Sequence, residues 1–379
     1  MDFALSEEQL MIRDMCRKFA DEVIAPRAEQ LEKTGEYPYD IMSQMGELGM
    51  MGIPFAEEYG GGGGNWVSMG LCIEEISRGD VGLGIMLDVT AMCAHEIESF
   101  GTEEQRSKWL APLVKGREIG SFALTEPDAG SDAASISCAA TREGDRWVLN
   151  GAKQFITNIG LDSGSIAVVA AVSGRDSQGR GVIDSFIVPK DTPGFTIGRR
   201  YDKMGLHSSS THELVFEDCR VPEENRLGEP GKGLAQHLAA LQTGRIAIAA
   251  CSVGLAQACL EAALAYARER IQFGQPIIEY QGVSFKLADM AVAVELARLM
   301  YLKAAWLKDR DLPYTFEASA AKLYASEMVE RVASDAVQIH GGYGYMSDYA
   351  VSRYYRQAKV LQIVEGTSEV QRIVITRNL

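Results

Sequence analysis

Ile363-Val364-Glu365-Gly366-Thr367-Ser368-Glu369-Val370-Gln371-Arg372 sets a lone carboxylate between an apolar run and the start of a helix. Val370, Ile373 and Val374 carry the stretch on as an apolar stripe at helical spacing. Ser368 and Gln371 fit the capping box Ser-x-x-Gln, which predicts a helix starting here and leaves Glu365 in the turn before it. A glutamate flanked by apolar residues and followed by flexible Gly366 has the make-up of a general base whose ionisation is tuned by burial. Taken alone, the stretch reads more readily as a surface glutamate in a loop, so its meaning depends on the rest of the chain.

Working outward from that turn, residues 234–266, 280–308 and 316–339 form long, Ala-rich amphipathic patterns, and Asp311-Leu312-Pro313 breaks the last two apart. Long terminal helices of this kind pack as an antiparallel bundle, and their surplus apolar positions suit an oligomer interface. Ahead of Pro222 the texture is different. Residues 121–124 read as a short buried strand, and 136–141 and 146–149 as a hairpin about Glu143-Gly144-Asp145. Further strand candidates lie at 155–157, 166–172, 185–188, 195–197 and 213–216, separated by turn signals such as Thr192-Pro193-Gly194. Such short strands predict a small barrel or sandwich.

Before Gly116 the pattern is helical again. Ser6 and Gln9 form a capping box, followed by a stripe of Leu5, Ile12, Cys16, Phe19 and Val23 that Pro26 is expected to end. Helical patterns continue at 39–48, 67–78, 82–100 and 103–115. The five glycines Gly60 to Gly64 predict a mobile or tightly turned loop. A phosphate cradle is the weaker reading, because no Gly-Lys-Ser/Thr follows and no strand clearly precedes. The expected organisation is α+β, mostly α: an N-terminal helical domain over 1–117, a middle β domain over 118–226 and a C-terminal helical bundle over 227–379.

The chain has 379 residues and a net charge of −15, which argues against a general nucleic-acid or anionic-membrane partner. Seven scattered cysteines without a C-x-x-C point to reduced thiols and a cytoplasmic setting. Five histidines show no metal-ligand spacing, so no metal is expected. There is no basic segment leading into an apolar run at the N-terminus, hence no signal peptide is expected. No uncharged apolar run of spanning length predicts a membrane helix.

Five motifs then fall in one order along the chain: Phe122-Ala123-Leu124-Thr125-Glu126-Pro127-Asp128-Ala129-Gly130-Ser131-Asp132, Phe155-Ile156-Thr157-Asn158, Arg268-Glu269-Arg270-Ile271-Gln272-Phe273-Gly274, Gln338-Ile339-His340-Gly341-Gly342 and Glu365-Gly366-Thr367-Ser368. In content and spacing they resemble the acyl-CoA dehydrogenases over essentially the whole chain. The resemblance implies FAD as cofactor, with Phe122, Leu124, Thr125, Ser131, Phe155 and Thr157 around the flavin ring and phosphates. Small strand donors such as Thr125 and Thr157 allow the close approach that a ring edge requires. It implies that Arg270, Phe273, Gln281, Gln338, Gly341 and Gly342 reach the adenosine end of FAD from a neighbouring subunit, in a homotetramer. Thr367 and Glu369 are expected beside the cofactor as well.

The implied reaction is α,β-dehydrogenation of an acyl-CoA to the 2-enoyl-CoA, in fatty acid or carboxylic acid degradation. Glu365 would abstract the α-proton, flavin N5 accept the hydride, and an electron-transferring flavoprotein collect the electrons. Substrate contacts would come from Ser131, Gln242, Arg245 and Gly366. One branch of the family carries its base in the stretch matching Leu241-Gln242-Thr243-Gly244-Arg245, which here has no carboxylate. Two departures stand out. Gln242 replaces the Asp that many members have, and Asp88 lies in a helix that usually lines the acyl pocket with apolar or hydroxyl residues. Asp88 either faces that pocket, favouring a cyclic or polar acyl group, or turns to a neighbouring helix or solvent. The other readings are a same-fold flavin oxidase using oxygen and a non-catalytic assembly or binding relative.

Overall fold

A computed structural model describes residues 4–160 and 165–379 of the chain. Helix α1 (Glu7–Phe19) opens on the expected capping box: Ser6 accepts from the Gln9 N–H and the Gln9 side chain returns to the Ser6 N–H. Pro26 does not end the helical run. A π-turn over Ala20–Ile24 leads directly into α2 (Ala25–Thr34), and Pro26 sits in its first turn, where no intrahelical N–H is needed. Helices α3 (Tyr39–Glu47), α4 (Trp66–Gly79) and α5 (Val81–Phe100) follow, then a broken segment, α6 (Glu103–Gln105) and α7 (Ala111–Val114), joined by a π-turn.

The glycine run is tightly turned. The N–H groups of Gly61, Gly62, Gly63 and Gly64 donate to the carbonyls of Ala56, Gly52, Phe55 and Ile53 at 2.8–3.1 Å. A side chain at Gly64 would meet the Ile53 carbonyl at 2.7 Å. The loop's donors are used internally, leaving none of these four for a phosphate.

The middle region holds strands β1 (Ile119–Ala123), β2 (Ala139–Glu143), β3 (Arg146–Thr157), β4 (Ser165–Arg175), β5 (Gly181–Pro189), β6 (Phe195–Arg200), β7 (Thr211–Pro222) and β8 (Arg226–Leu227). They form one mixed sheet in the order β6-β7-β3-β2-β4-β5-β8, with β1 lying parallel to β4. The segments 146–149 and 155–157, which read as separate strands in the sequence, belong to the single strand β3. Its register against β7 shifts between Leu149 and Gly151 and again between Lys153 and Ile156. Such irregularities bend a strand and interrupt its alternation, which is why the pattern looks broken in sequence. Trp147, Phe186, Phe195, Phe216 and the inward β-branched residues form the sheet's core.

Helix α8 (Gly233–Glu269) is the 37-residue axis of the C-terminal region, packed on α10 (Thr315–His340), α4, α5 and α9 (Gln281–Lys308). Between α8 and α9 lies a short hairpin, β9 (Ile271–Gln272) with β10 (Gln275–Pro276). Helices α11 (Ala350–Ala358) and α12 (Ser368–Arg377) close the chain. One core cluster runs continuously through the N-terminal and C-terminal helices. Among the described helices, α8 alone is long and apolar enough to cross a bilayer by length and composition, with Arg245 and Glu261 bounding its uncharged stretch, but most of it is buried in the protein as a core helix.

Candidate active site

Glu365 sits on the turn between a 3-10 turn over Lys359–Gln362 and α12, with φ 54°, and Gly366 follows at φ 96°. A non-glycine residue in the left-handed region is disfavoured by about 1–2 kcal/mol and persists only where its surroundings hold it. Two side chains do so here. Lys322 Nζ donates to the Gly366 carbonyl at 2.7 Å, and Gln371 Nε2 donates to the carbonyls of Glu365 and Gly366 at 3.1 and 2.9 Å. The capping box predicted at Ser368 is displaced by one residue: Thr367 is the N-cap, accepting from the Val370 N–H at 3.3 Å. Gln371 is thereby free to hold the turn instead of closing a box.

The Glu365 side chain lies over Gly244 of α8. A Cβ built there would fall 2.6 Å from Met92 Sδ, 2.8 Å from Glu365 Cδ and nearer still to Oε2. Glycine at 244 therefore makes room for the carboxyl, and no second carboxylate fits at that turn of α8. Although Glu365 as a whole is partly accessible, its Oε2 is buried and has no hydrogen-bond partner among the described residues. Burial raises its pKa, against the opposing influence of Asp88, Lys322 and Arg245. Burial also brings the Lys322 ammonium down to about 8, Glu365 opposing. Arg245 is buried on α8, its Nε lacks a partner, and Nη1 reaches Ser319 Oγ at 3.4 Å. Asp88, on α5, is 1% exposed and faces Glu365 rather than solvent, and burial together with the Glu365 charge drives its pKa well up. Gln242 accepts from Thr315 Oγ1 at 2.9 Å, which ties it to the start of α10.

A second group lies on the sheet. Leu124 is buried and Thr125 partly so, at the end of β1. This stretch is strapped to β3: the Gln154 N–H donates to the Thr125 carbonyl at 3.0 Å and Lys153 Nζ to the Leu124 carbonyl at 3.0 Å. Lys153, fully buried, also pairs with Glu126 Oε1 at 2.7 Å. Glu126 accepts in addition from the N–H groups of Ser137 and Cys138 and from Ser137 Oγ. Burial would raise the Glu126 pKa, but Lys153 and these donors outweigh it and hold the carboxyl below its ordinary value. Phe155, at the irregularity in β3, has φ 61°, is 57% exposed and packs on Tyr201 at 4.9 Å between ring centroids. Thr157 is half-buried, and Asn158 Nδ2 ties the strand end to the carbonyls of Met86 and Gly120. Ser131 is exposed in the loop after Thr125, whereas Phe122 packs on His237 of α8 at 4.7 Å.

A third group is remote from Glu365 in the chain's own fold. Arg270, Gly341 and Gly342 line one cavity of about 600 Å³ together with Tyr266 and Tyr343. Arg270 Cζ lies 5.4 Å over the Tyr343 ring. Phe273, at the tip of the β9–β10 hairpin, is 96% exposed, and Gln281, which opens α9, and Gln338, near the end of α10, are exposed as well. Arg245 and Arg270 stand roughly 37 Å apart along the α8 axis at 1.5 Å per residue. Thr367 caps α12, and Glu369 is exposed in its first turn.

The residues that sequence reading missed are Lys322, Lys153, Glu126, Asn158 and Gln371. Lys322 left a signal: it interrupts the apolar stripe of Ala318, Ala321, Ala325 and Val329 on α10, and a charge on a buried face calls for a partner.

The three parts of this architecture match known families in chain order. Acyl-CoA dehydrogenase N-terminal, middle and C-terminal domains match residues 6–117, 121–219 and 231–379. The chain is 52% identical to a probable acyl-CoA dehydrogenase, YngJ, of Bacillus subtilis, over 100% of both chains. The solved butyryl-CoA dehydrogenase of Megasphaera elsdenii superposes with a TM-score of 0.96 at 43% identity, covering 100% of this chain and 99% of that one. A chain solved in work on the electron transferring flavoprotein of Acidaminococcus fermentans superposes with a TM-score of 0.97 at 46% identity, with 100% and 99% covered. The chain belongs to the acyl-CoA dehydrogenase family. It is an FAD-dependent oxidoreductase that dehydrogenates acyl-CoA thioesters.

The residues present fit that cofactor. Nothing stands within 4 Å of where side chains at Gly341 and Gly342 would begin, so backbone and cavity are open to a phosphate or ribose beside Arg270. Phe155 offers an exposed aromatic face next to Thr157 on the sheet.

Proposed function

We propose that Glu365 is the base of the dehydrogenation and that the acyl group is short. The observation that carries the first part is the buried, unpartnered Oε2 of Glu365, held over Gly244 on a strained turn. An acceptor to which no backbone, amide, hydroxyl or cationic group donates, in a desolvated setting, is suited to receive a proton from carbon. The α C–H bond breaks with its proton passing to Glu365, and the electron pair left behind forms the α,β double bond as the β-hydrogen departs with its own pair. FAD, when bound, supplies the two-electron acceptor for that hydrogen at N5. Burial raises the Glu365 pKa, and the Lys322 and Arg245 charges oppose it by favouring the ionised form. The short acyl preference is supported by the likeness to the butyryl-CoA dehydrogenase.

Leu124, Thr125, Ser131, Phe155 and Thr157 would serve the flavin of the same subunit, and Ser131, Gln242, Arg245 and Gly366 the acyl-CoA. The separation along α8 supports Arg270, Phe273, Gln281, Gln338, Gly341 and Gly342 serving the flavin of a neighbouring subunit. Exposed Phe285, Val292, Leu296, Leu299 and Trp306 make one apolar face on α9, which supports a homotetramer. Electrons would pass to an electron-transferring flavoprotein, in keeping with the Acidaminococcus relative. Seven buried, unpaired cysteines are in keeping with a reducing cytoplasm. Glu365→Gln tests the base: FAD and butyryl-CoA still bind, while bleaching of the flavin by substrate slows by about 10³-fold. Bleaching at the wild-type rate would remove Glu365 from the role.

A further inference from the structure

Asp88 is a carboxyl with no surface to retreat to. It lies on the inner face of α5, one turn from Gly84 and one turn from Met92, and its Oδ2 is buried without a hydrogen-bond donor. The packing from α8 brings Gly244 and Cys251 towards it: a Cβ at Gly84 would lie 3.3 Å from Cys251 Sγ, and Glu365 and Met92 close over Gly244. The Glu365 carboxyl meets the same face of α5 at Met92, one turn from Asp88, and its Oε2 is buried and unpartnered like Asp88 Oδ2, so the two acids face each other. The cations stand at Glu365: Lys322 Nζ of α10 bonds the carbonyl of Gly366, the next residue, at 2.7 Å, and Arg245 follows Gly244 on α8, over which the Glu365 carboxyl lies, whereas no ion pair or hydrogen bond links Asp88 to a cation among the described residues.

From this geometry we infer that Asp88 and Glu365 hold one proton between them, Asp88 keeping it and donating its O–H to the Glu365 carboxylate. Two carboxylates in contact in a dry site do not both ionise, and the charge settles on the member nearer the cations. That member is Glu365. A protonated carboxyl is a donor, so Asp88 supplies the base with the one hydrogen bond that its side chain otherwise lacks among the described residues. It is a positioning residue: it fixes the carboxyl over Gly244 and favours its charged form, while Glu365 alone exchanges a proton with substrate. The inference rests on Glu365 being the base.

The test compares Asp88→Asn and Asp88→Val in FAD-loaded enzyme. Infrared difference spectra at neutral pH, wild type minus Asp88→Asn, should show the carbonyl band of a protonated carboxylic acid. In single-turnover bleaching by butyryl-CoA, loss of a donor to the charged form raises the Glu365 pKa, so the acid limb moves to higher pH. For Asp88→Val the expected movement is about one pH unit or more, roughly tenfold in rate on that limb. Asp88→Asn keeps an N–H donor and should restore most of the limb's position. An absent carboxylic-acid band, or identical pH profiles for wild type and Asp88→Val, overturns the shared proton. Glu365→Gln run alongside separates the two claims: if it bleaches normally the base assignment falls, and if it is silent while Asp88→Val matches wild type only the pairing falls.

Discussion

Gly244→Ala separates what helix α8 gains from what the site loses. Alanine in place of glycine inside an exposed helix is worth about 1 kcal/mol, and α8 continues for several turns on both sides of position 244. The added methyl, however, would lie 2.8 Å from Glu365 Cδ and 2.6 Å from Met92 Sδ, with Oε2 closer still. Both obstacles are the ends of flexible side chains, so the fold can yield at little expense, and the one that yields is the base. Restoring ordinary contact moves the carboxyl by roughly 1 Å, a misplacement that costs on the order of 10²-fold in rate. The expected variant is as stable as wild type or slightly more so, keeps its yellow flavin, and is bleached by butyryl-CoA about 100 times more slowly in a stopped-flow experiment. Denaturation midpoint, flavin content and bleaching rate on the same preparation decide it. Unchanged bleaching would refute the placement of Glu365 over Gly244, and a parallel fall in stability and flavin content would show that the damage runs through the fold instead.

Two further substitutions probe the buried cations. Lys322 loses its proton in the fold at about pH 8 but in the unfolded chain near its ordinary 10.5, so the unfolded state binds more protons between those values and wild-type stability rises with pH across that window. At pH 7 the buried ammonium therefore costs about 3 kcal/mol, at about 1.4 kcal/mol for each pH unit separating the folded and unfolded values. Lys322→Met should be more stable than wild type at pH 7 by up to that amount, since Gln371 still donates to the Gly366 carbonyl, and the gain should fade between pH 8 and 10.5. Flavin bleaching should slow at the same time, because a cation beside Glu365 is gone. Urea denaturation at pH 7, 9 and 10 checks this, and a pH-independent difference would count against it. Lys153→Met, by contrast, leaves Glu126 as a buried carboxylate with its backbone donors but no cation, and should destabilise by about 3 kcal/mol and loosen FAD, read as denaturation midpoint and the ratio of flavin to protein absorbance. A loss under about 1 kcal/mol would mean that Ser137 and Cys138 suffice to hold the charge.

The order of helices, sheet and helices was legible because each region keeps its own period over many residues, as α8, α9 and α10 do. The errors fell where local rules compete. Pro26 reads as a stop, yet the second residue of a new helix needs no N–H, so the chain continues helical through a π-turn. The break seen between residues 149 and 155 is not a strand end but a change of register in β3, and it is this irregularity that turns Phe155 outward. Ser368 looked like the cap because Ser-x-x-Gln is the commoner pattern, but Thr367 offers the same hydroxyl one residue earlier and Gln371 has a better use.

The site was legible as a list of residues and illegible as an electrostatic object. Glu365 announces itself by its neighbours in sequence. The properties that make it a base come from elsewhere: room from Gly244, charge from Arg245 and Lys322, contact with Asp88. Those residues lie on three helices that are far apart in the chain, and no periodicity relates them. Asp88 shows the difficulty most clearly. In the sequence it is an acid within the apolar first half of α5, compatible with a pocket, a neighbouring helix or solvent. Only the packing of α5 on α8 shows that it has a second acid in front of it and no cation of its own, and from that point the protonation of both groups is coupled. A carboxylate in such company cannot be altered alone: any substitution at 88 is also an adjustment of the charge at 365, whatever it does to the shape of the acyl pocket.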